Sequence, residues 1–227
     1  MARTLDPAAH AVRRDAFVDS ALRLIQTRGY EQLSIQDVLD DVGASKGAFY
    51  HYFDSRDALL SAIVERTVEA ATSTLGPLLE DPRLSAPQKL EGMFAAIAQW
   101  KGERTDLMLQ LLQVWLSDDN AIVRERLRRA VTVRLTPMLA EIVRQGMAEG
   151  TFSVSSADGC ATVLVALVLG LNELATRMYV ARQAGSISFH DVQLTVAAYA
   201  EALERVLGSA PGAWPLTDDA TLRRWFE

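Results

Sequence analysis

The sequence has 227 residues, a 49% apolar share, 23% charged residues and a net charge of −6. That length exceeds one small module and suits a small domain plus a larger one, with apolar residues enough for a buried core. A single cysteine, Cys160, excludes an internal disulfide framework and fits a reducing, cytoplasmic setting. Residues 1–11 read as a polar, proline-containing lead. The spacing then predicts a helix over Arg13 to Arg28, with Phe17, Ala21, Leu24 and Ile25 as its buried stripe and Gly29 as its stop.

The stretch from Ser34 to Leu60 reads as a helix-turn-helix and the opening of a further helix. Ser34 is a good N-cap, and Asp37 holds the acidic position of a capping box. Ile35, Val38, Leu39 and Val42 follow the i, i+3, i+4, i+7 spacing of one buried stripe. Gly43 supplies the positive φ that ends such a helix. Ser45 then caps a short helix through Phe53, and Asp54 and Ser55 cap the next.

The short helix has two faces. Phe49, Tyr52 and Phe53 form an aromatic back; Ser45, Lys46, Gly47, Tyr50 and His51 form a polar or small front. A single helix of this kind fits a DNA major groove, about 12 Å wide. Lys46 can reach a guanine edge or a phosphate, and Tyr50 and His51 can reach phosphates. Gly47 and Ala48 allow close backbone approach, and Ser34 and Arg56 flank the contact face. The plainer alternative is a solvated helix over packed aromatics. Charge argues against DNA: residues 1–60 hold seven Lys/Arg against nine Asp/Glu, a net of −2, whereas a basic domain is the usual footprint. Salt-sensitive binding with few phosphate contacts per subunit, supported by dimerisation, is therefore expected.

The run Gly43 to Leu60, GASKGAFYHYFDSRDALL, resembles the DNA-binding signature of TetR/AcrR-family transcriptional regulators. The preceding ALRLIQTRGYEQLSIQDV, Ala21 to Val38, is similar to that family's first helix, its turn and the start of its second helix. Three departures stand out: Ala48 where the family often has Thr, Leu39 where many members have Ala, and the acidic pair Asp40 and Asp41. They bear on which operator is read.

A fourth helix, from Arg56 to about Thr74, is long enough to pass from a DNA-binding domain (1–60) into the next (61–227). A rigid helix shared by two domains can turn movement in one into reorientation of the other. Beyond it the pattern stays helical: Ser85 to Arg104, Asp106 to Leu116, Asn120 to Ala148 with Pro137 expected to kink it, Ala157 to Arg182, and Ser188 to Leu207. Thr217 can cap a terminal turn. The fold class expected is all-α, an N-terminal three-helix helix-turn-helix domain and a C-terminal helical ligand-binding and dimerisation domain, about nine helices with a short tenth open.

The helix from Ala157 offers Ala166 and Gly170 on an apolar all-round surface, and the last long helix offers Val196, Ala200 and Leu203. The family resemblance implies a homodimer through these two helices, whose paired recognition helices would read a palindromic operator. The alternative is that the Ala157 helix is simply the centre of the monomer core. The resemblance also implies an effector pocket among helices four to eight. Met93, Phe94, Trp100, Met108, Trp115 and Met138 are its large deformable candidates, with Asn172 and Arg177 as polar groups. So few polar groups point to an apolar or aromatic effector rather than a strongly anionic one. The remaining alternative is an all-α ligand-binding or adaptor protein without DNA binding.

Enzymatic readings find little support. Gly43-Ala44-Ser45-Lys46-Gly47 matches G-x-S-x-G, but a nucleophile elbow needs a strand before the serine, and a helical pattern stands there. His10, His51 and His190 are scattered and lack metal-ligand spacing, so no metal, cofactor or enzymatic activity is expected. No signal-like segment opens the chain, and the longest apolar run, Cys160 to Leu171, is 12 residues, too short for a bilayer.

Overall fold

The computed structural model of the protein describes residues 7–28, 32–105, 109, 121–212 and 219–226. Ten helices and no strand occur among them: α1 (Pro7–Arg28), α2 (Ile35–Val42), α3 (Lys46–Tyr52), α4 (Arg56–Thr72), α5 (Leu75–Glu80), α6 (Ala86–Gly102), α7 (Ala121–Glu149), α8 (Ala157–Gln183), α9 (Phe189–Leu207) and α10 (Asp219–Phe226). The all-α expectation is met. Apart from Leu109, the expected helix from Asp106 to Leu116, with Met108 and Trp115, lies outside the described residues, as do Gly29, the first six residues and Thr217.

Two elements differ from the expected pattern. α1 begins at Pro7, six residues before Arg13. A proline in the first helical turn needs no N–H partner and already has a helical φ, so the proline that suggested a lead can open the helix. α5 is a six-residue helix that the pattern did not separate; it ends at Glu80, just before Asp81-Pro82, where a helix cannot readily continue.

The chain divides into two compact units: Met1–Glu69 with Arg104–Ala130, and Ala70–Glu103 with Val131–Glu227. The expected division at residue 60 would cut α4 in its first turns. The return of the later segment to the first unit has a concrete anchor: Arg126 Nη1 donates to the Asp57 carbonyl at 2.7 Å and to Ser61 Oγ at 2.6 Å.

The first unit is built on one apolar cluster. Phe17, Val18, Ala21, Leu24 and Ile25 of α1 meet Val38 and Leu39 of α2, Phe49 of α3, Phe53, and Leu59, Leu60, Ala62 and Ile63 of α4. The second unit centres on Leu90 and Met93 of α6, Leu135, Leu139 and Val143 of α7, Ala161, Leu164 and Val165 of α8, and Leu203 and Leu207 of α9. A smaller cluster joins Met178, Val192 and Phe226.

Gly208 closes α9 in the left-handed region, φ +60°. A Cβ there would lie 2.5 Å from the Ser153 carbonyl oxygen, beside the bond in which Ser153 N–H donates to the Leu207 carbonyl at 2.9 Å. Gly208→Ala combines left-handed strain with a backbone clash, an expected loss of roughly 2–3 kcal/mol. A urea-unfolding midpoint unchanged from wild type would refute this.

α8 is long and apolar enough to cross a membrane, with a mean hydropathy of 1.7 over 18 residues. Counting only the unbroken apolar run up to Leu171 understated it, because single polar residues such as Asn172 interrupt a helix's apolar length without ending it. Only 28% of that window is buried, and Val163 and Val180 of α8, like Leu194 of α9, are exposed.

Candidate nucleic-acid interface

Each turn of the helix-turn-helix is fixed by a local polar bond. At the start of α2 the Ser34 hydroxyl accepts from Asp37 N–H at 3.1 Å, while the Asp37 carboxylate accepts from Ser34 N–H at 2.9 Å. This is the reciprocal capping box that the sequence predicts. The bonds from the Ser34 hydroxyl and backbone hold the Asp37 carboxyl below its ordinary pKa of 3.8, with a smaller contribution from Arg28. A carboxylate depressed in this way stabilises the fold above that ordinary value, and the contribution fades as pH falls below it. Ser34→Ala is expected to cost about 1 kcal/mol and to lessen the fall in melting temperature between neutral and acid pH. An unaltered melting temperature would count against the cap.

Gly43 then turns the chain at φ 65°, ψ 44°, and Ala44 N–H donates to the Leu39 carbonyl at 3.0 Å. Ser45 caps α3, accepting from Ala48 N–H at 3.2 Å. α3 itself spans seven residues, with Ser45 and Phe53 as its two caps.

The two faces of α3 separate as the spacing predicts. Phe49 is 0% exposed and Phe53 3%, and Tyr52 is half-buried. Phe49 meets Phe17 edge-on at 5.6 Å and Phe53 at 5.6 Å, and Phe17 meets Phe53 at 6.2 Å. Such aromatic contacts add to area burial and fix the helix's rotation about its axis. On the opposite side Ser45, Lys46, Gly47, Tyr50 and His51 are exposed, and Ala48 is half-buried. The Tyr50 ring stands edge-on to Phe49 at 5.4 Å. His51 is held by His10 at 5.6 Å and Tyr52 at 5.1 Å, so α1 helps to orient it, a contact no local spacing announces. Ser34 is exposed, and Arg56 is half-buried at the start of α4.

The acidity of α2 is partly answered within the unit. Arg23 of α1 pairs with Asp41 at 2.7 Å and Arg28 with Asp37 at 3.2 Å, while Asp40 accepts from the Gln36 amide at 2.8 Å. Exposed pairs add little stability. Their importance here is that two carboxylates of α2 are matched by cations of α1. Net charge over residues 1–60 hides this.

Residues 17–63 match the family profile described as "Bacterial regulatory proteins, tetR family". Over that stretch, its helix-turn-helix, the chain is similar to the TetR family. Among curated relatives it is 27% identical over 86 residues to the HTH-type transcriptional repressor DhaR of Mycobacterium sp. strain GP1, covering 38% of this chain and 43% of that one. To the HTH-type transcriptional regulator EthR of Mycolicibacterium smegmatis it is 22% identical over 144 residues, 56% of this chain and 66% of the relative. The chain thus spans about half the length of these curated relatives. A TetR transcription regulator from Haloarcula marismortui has the same fold, with a TM-score of 0.60, 21% identity, and coverage of 85% of this chain and 98% of that one.

The remaining predicted residues are placed as follows. Met93 is buried in the core of the second unit, and Phe94 and Met138 pack against that core, half-buried. Trp100 is half-buried. Arg177 points outward, 61% exposed, and pairs with Glu173 at 3.1 Å, so it is a solvated helix-face cation instead of a pocket group. Asn172 accepts a hydrogen bond from Lys101 Nζ at 2.8 Å, and Lys101 is a residue that the sequence reading passed over. Of the expected dimer residues, Ala166 is exposed, and Gly170, Val196 and Ala200 are half-buried. Leu203 is only 3% exposed and belongs to its own unit's core, so no partner surface can include it without repacking.

Proposed function

We propose that this chain is a sequence-specific, DNA-binding transcriptional regulator, acting as a homodimer and most simply as a repressor. The observation that carries this is α3: an aromatic back locked to α1 and α4, with Ser45, Lys46, Gly47, Tyr50 and His51 on the exposed front. That front matches the dimensions and chemistry of a major groove, Lys46 toward a base edge or phosphate and Tyr50 and His51 toward phosphates. Curated relatives bearing the name of transcriptional repressor support the same reading.

The apolar outer surface of α8 and α9, with Val163, Ala166, Val180 and Leu194 exposed, supports pairing of two copies through these helices. A twofold dimer presents two copies of α3, suited to the two halves of a palindromic operator. A small, largely apolar effector bound in the second unit, near Phe94, Trp100 and Met138, would release the operator. α4 contains residues of both units, as does α7, and offers a covalent route between effector and recognition helix. The ligand acts only to the extent that it binds the two arrangements with different affinity. A cytoplasmic location follows from this role.

The test is retention of sheared genomic DNA from the source organism by the purified full-length protein, followed by sequencing. A recurrent inverted repeat, retained at physiological salt, is the expected result. Featureless retention that washes away with modest salt would leave the adaptor alternative standing.

A further inference from the structure

Two lysines of α6 are drawn toward the protein, Lys89 buried and Lys101 half-buried, and they differ in how they are satisfied. Lys89 is 7% exposed, and its Nζ donates to the Leu79 carbonyl at 2.5 Å, where it caps the end of α5. Lys101 lies in the last turn of α6, where a cation normally faces water and complements the helix dipole. Its ammonium instead turns to α8 and meets a neutral amide, Asn172 Oδ1, at 2.8 Å. Among the described residues no carboxylate pairs with it. Burial pushes its pKa down to about 8, with no compensating charge.

The donor count sets the chemistry. An ammonium has three N–H donors and no acceptor, and Lys101 uses one of them on Asn172. Asn172 accepts from Lys101 with one lone pair of its amide oxygen, and its backbone carbonyl takes the Thr176 hydroxyl at 3.0 Å. What remains on the two side chains is mainly N–H: two donors on the ammonium and two on the amide, against one amide lone pair. Around them the surface is apolar: Phe94 and Ile97 share the Lys101 face of α6, and Leu169 shares the Asn172 face of α8; all three pack on the core. A half-buried cation with spare donors in apolar surroundings carries a desolvation cost that an anion would offset. A carboxylate supplies both the charge and two acceptor oxygens.

We propose that Lys101 and Asn172 form the anion-recognising end of the effector site, and that the effector is an apolar monocarboxylate. This rests on the effector-responsive reading above and sharpens it, since neither residue type nor spacing suggested an acidic ligand. Arg177, the only cation considered from the sequence, is turned away.

Binding is measured by isothermal titration on the full-length protein with benzoate, 4-phenylbutanoate, octanoate and decanoate, each beside the primary amide of the same skeleton. At least one acid should bind about ten-fold or more tightly than its amide, as a charge-assisted pair requires. Lys101→Met should erase that preference while shifting amide affinity by no more than about two-fold. Lys101→Arg should keep it. Asn172→Leu, which leaves the cation in place, should weaken the preference and serves in its place if Lys101→Met does not fold. The proposal falls if no acid outperforms its amide, or if the preference survives Lys101→Met. A parallel arm measures operator retention. An acid that binds through Lys101 without releasing DNA keeps this subsite and refutes the effector-release reading; release by amides as readily as by acids does the reverse.

Discussion

Phe49→Ala is expected to cost about 3–5 kcal/mol, enough to remove most of the stability of a domain the size of the first unit. Phe49 has no exposed surface and touches both Phe17 and Phe53. Truncation therefore leaves a ring-sized cavity between α1, α3 and α4 and removes aromatic contacts that contribute beyond area alone. Phe49→Leu should recover roughly half, because it refills volume without restoring the edge-on geometry. Near-ultraviolet circular dichroism during a thermal ramp reads the effect directly, through the aromatic signal of this cluster. A melting shift of only a degree or two for Phe49→Ala would mean that the cluster does not hold the recognition helix. The fall in DNA retention should track the fall in folded first unit, since Phe49 itself faces away from the proposed groove.

The same residue shows why part of this molecule was legible in its sequence. Caps, glycine turns and 3.6-residue stripes are local, so Ser34, Asp37, Gly43, Ser45 and the aromatic back of α3 could be read from neighbours within a few positions. What could not be read were relations across long separations. Arg23–Asp41 and Arg28–Asp37 neutralise α2 from another helix, and Arg126 bonds to Asp57 and Ser61 from almost seventy residues away. Lys101 and Asn172 lie 71 positions apart, and a lysine in the last turn of a helix carries no mark of burial. Arg177 shows the opposite error. A cation in an apolar stretch looks enclosed, yet its partner four residues earlier and its exposure put it on the outer face. Leu203 failed similarly, because an apolar stripe on a helix does not state which of its members face inward.

Lys46→Ala with Tyr50→Ala should abolish specific DNA retention while leaving the melting temperature within about 1 °C of wild type. Both side chains are exposed, Tyr50 by 45%, so neither contributes much core burial, and surface changes of this kind stay within about 0.5 kcal/mol. Each contact to a base edge or phosphate is worth about 1–3 kcal/mol, and a dimer makes it twice. The double substitution should therefore lower affinity by 10²-fold or more. The single Lys46→Ala separates the two roles open to that lysine. If it holds a phosphate, the slope of log affinity against log salt becomes shallower by about 2 per dimer, and affinity drops alike for all sequences. If it reads a guanine, the slope barely moves, and one operator position becomes permissive. Unchanged retention in the double variant would show that the exposed front of α3 does not meet DNA. The fold would stand, and the adaptor alternative would become the better account of the same aromatic scaffold.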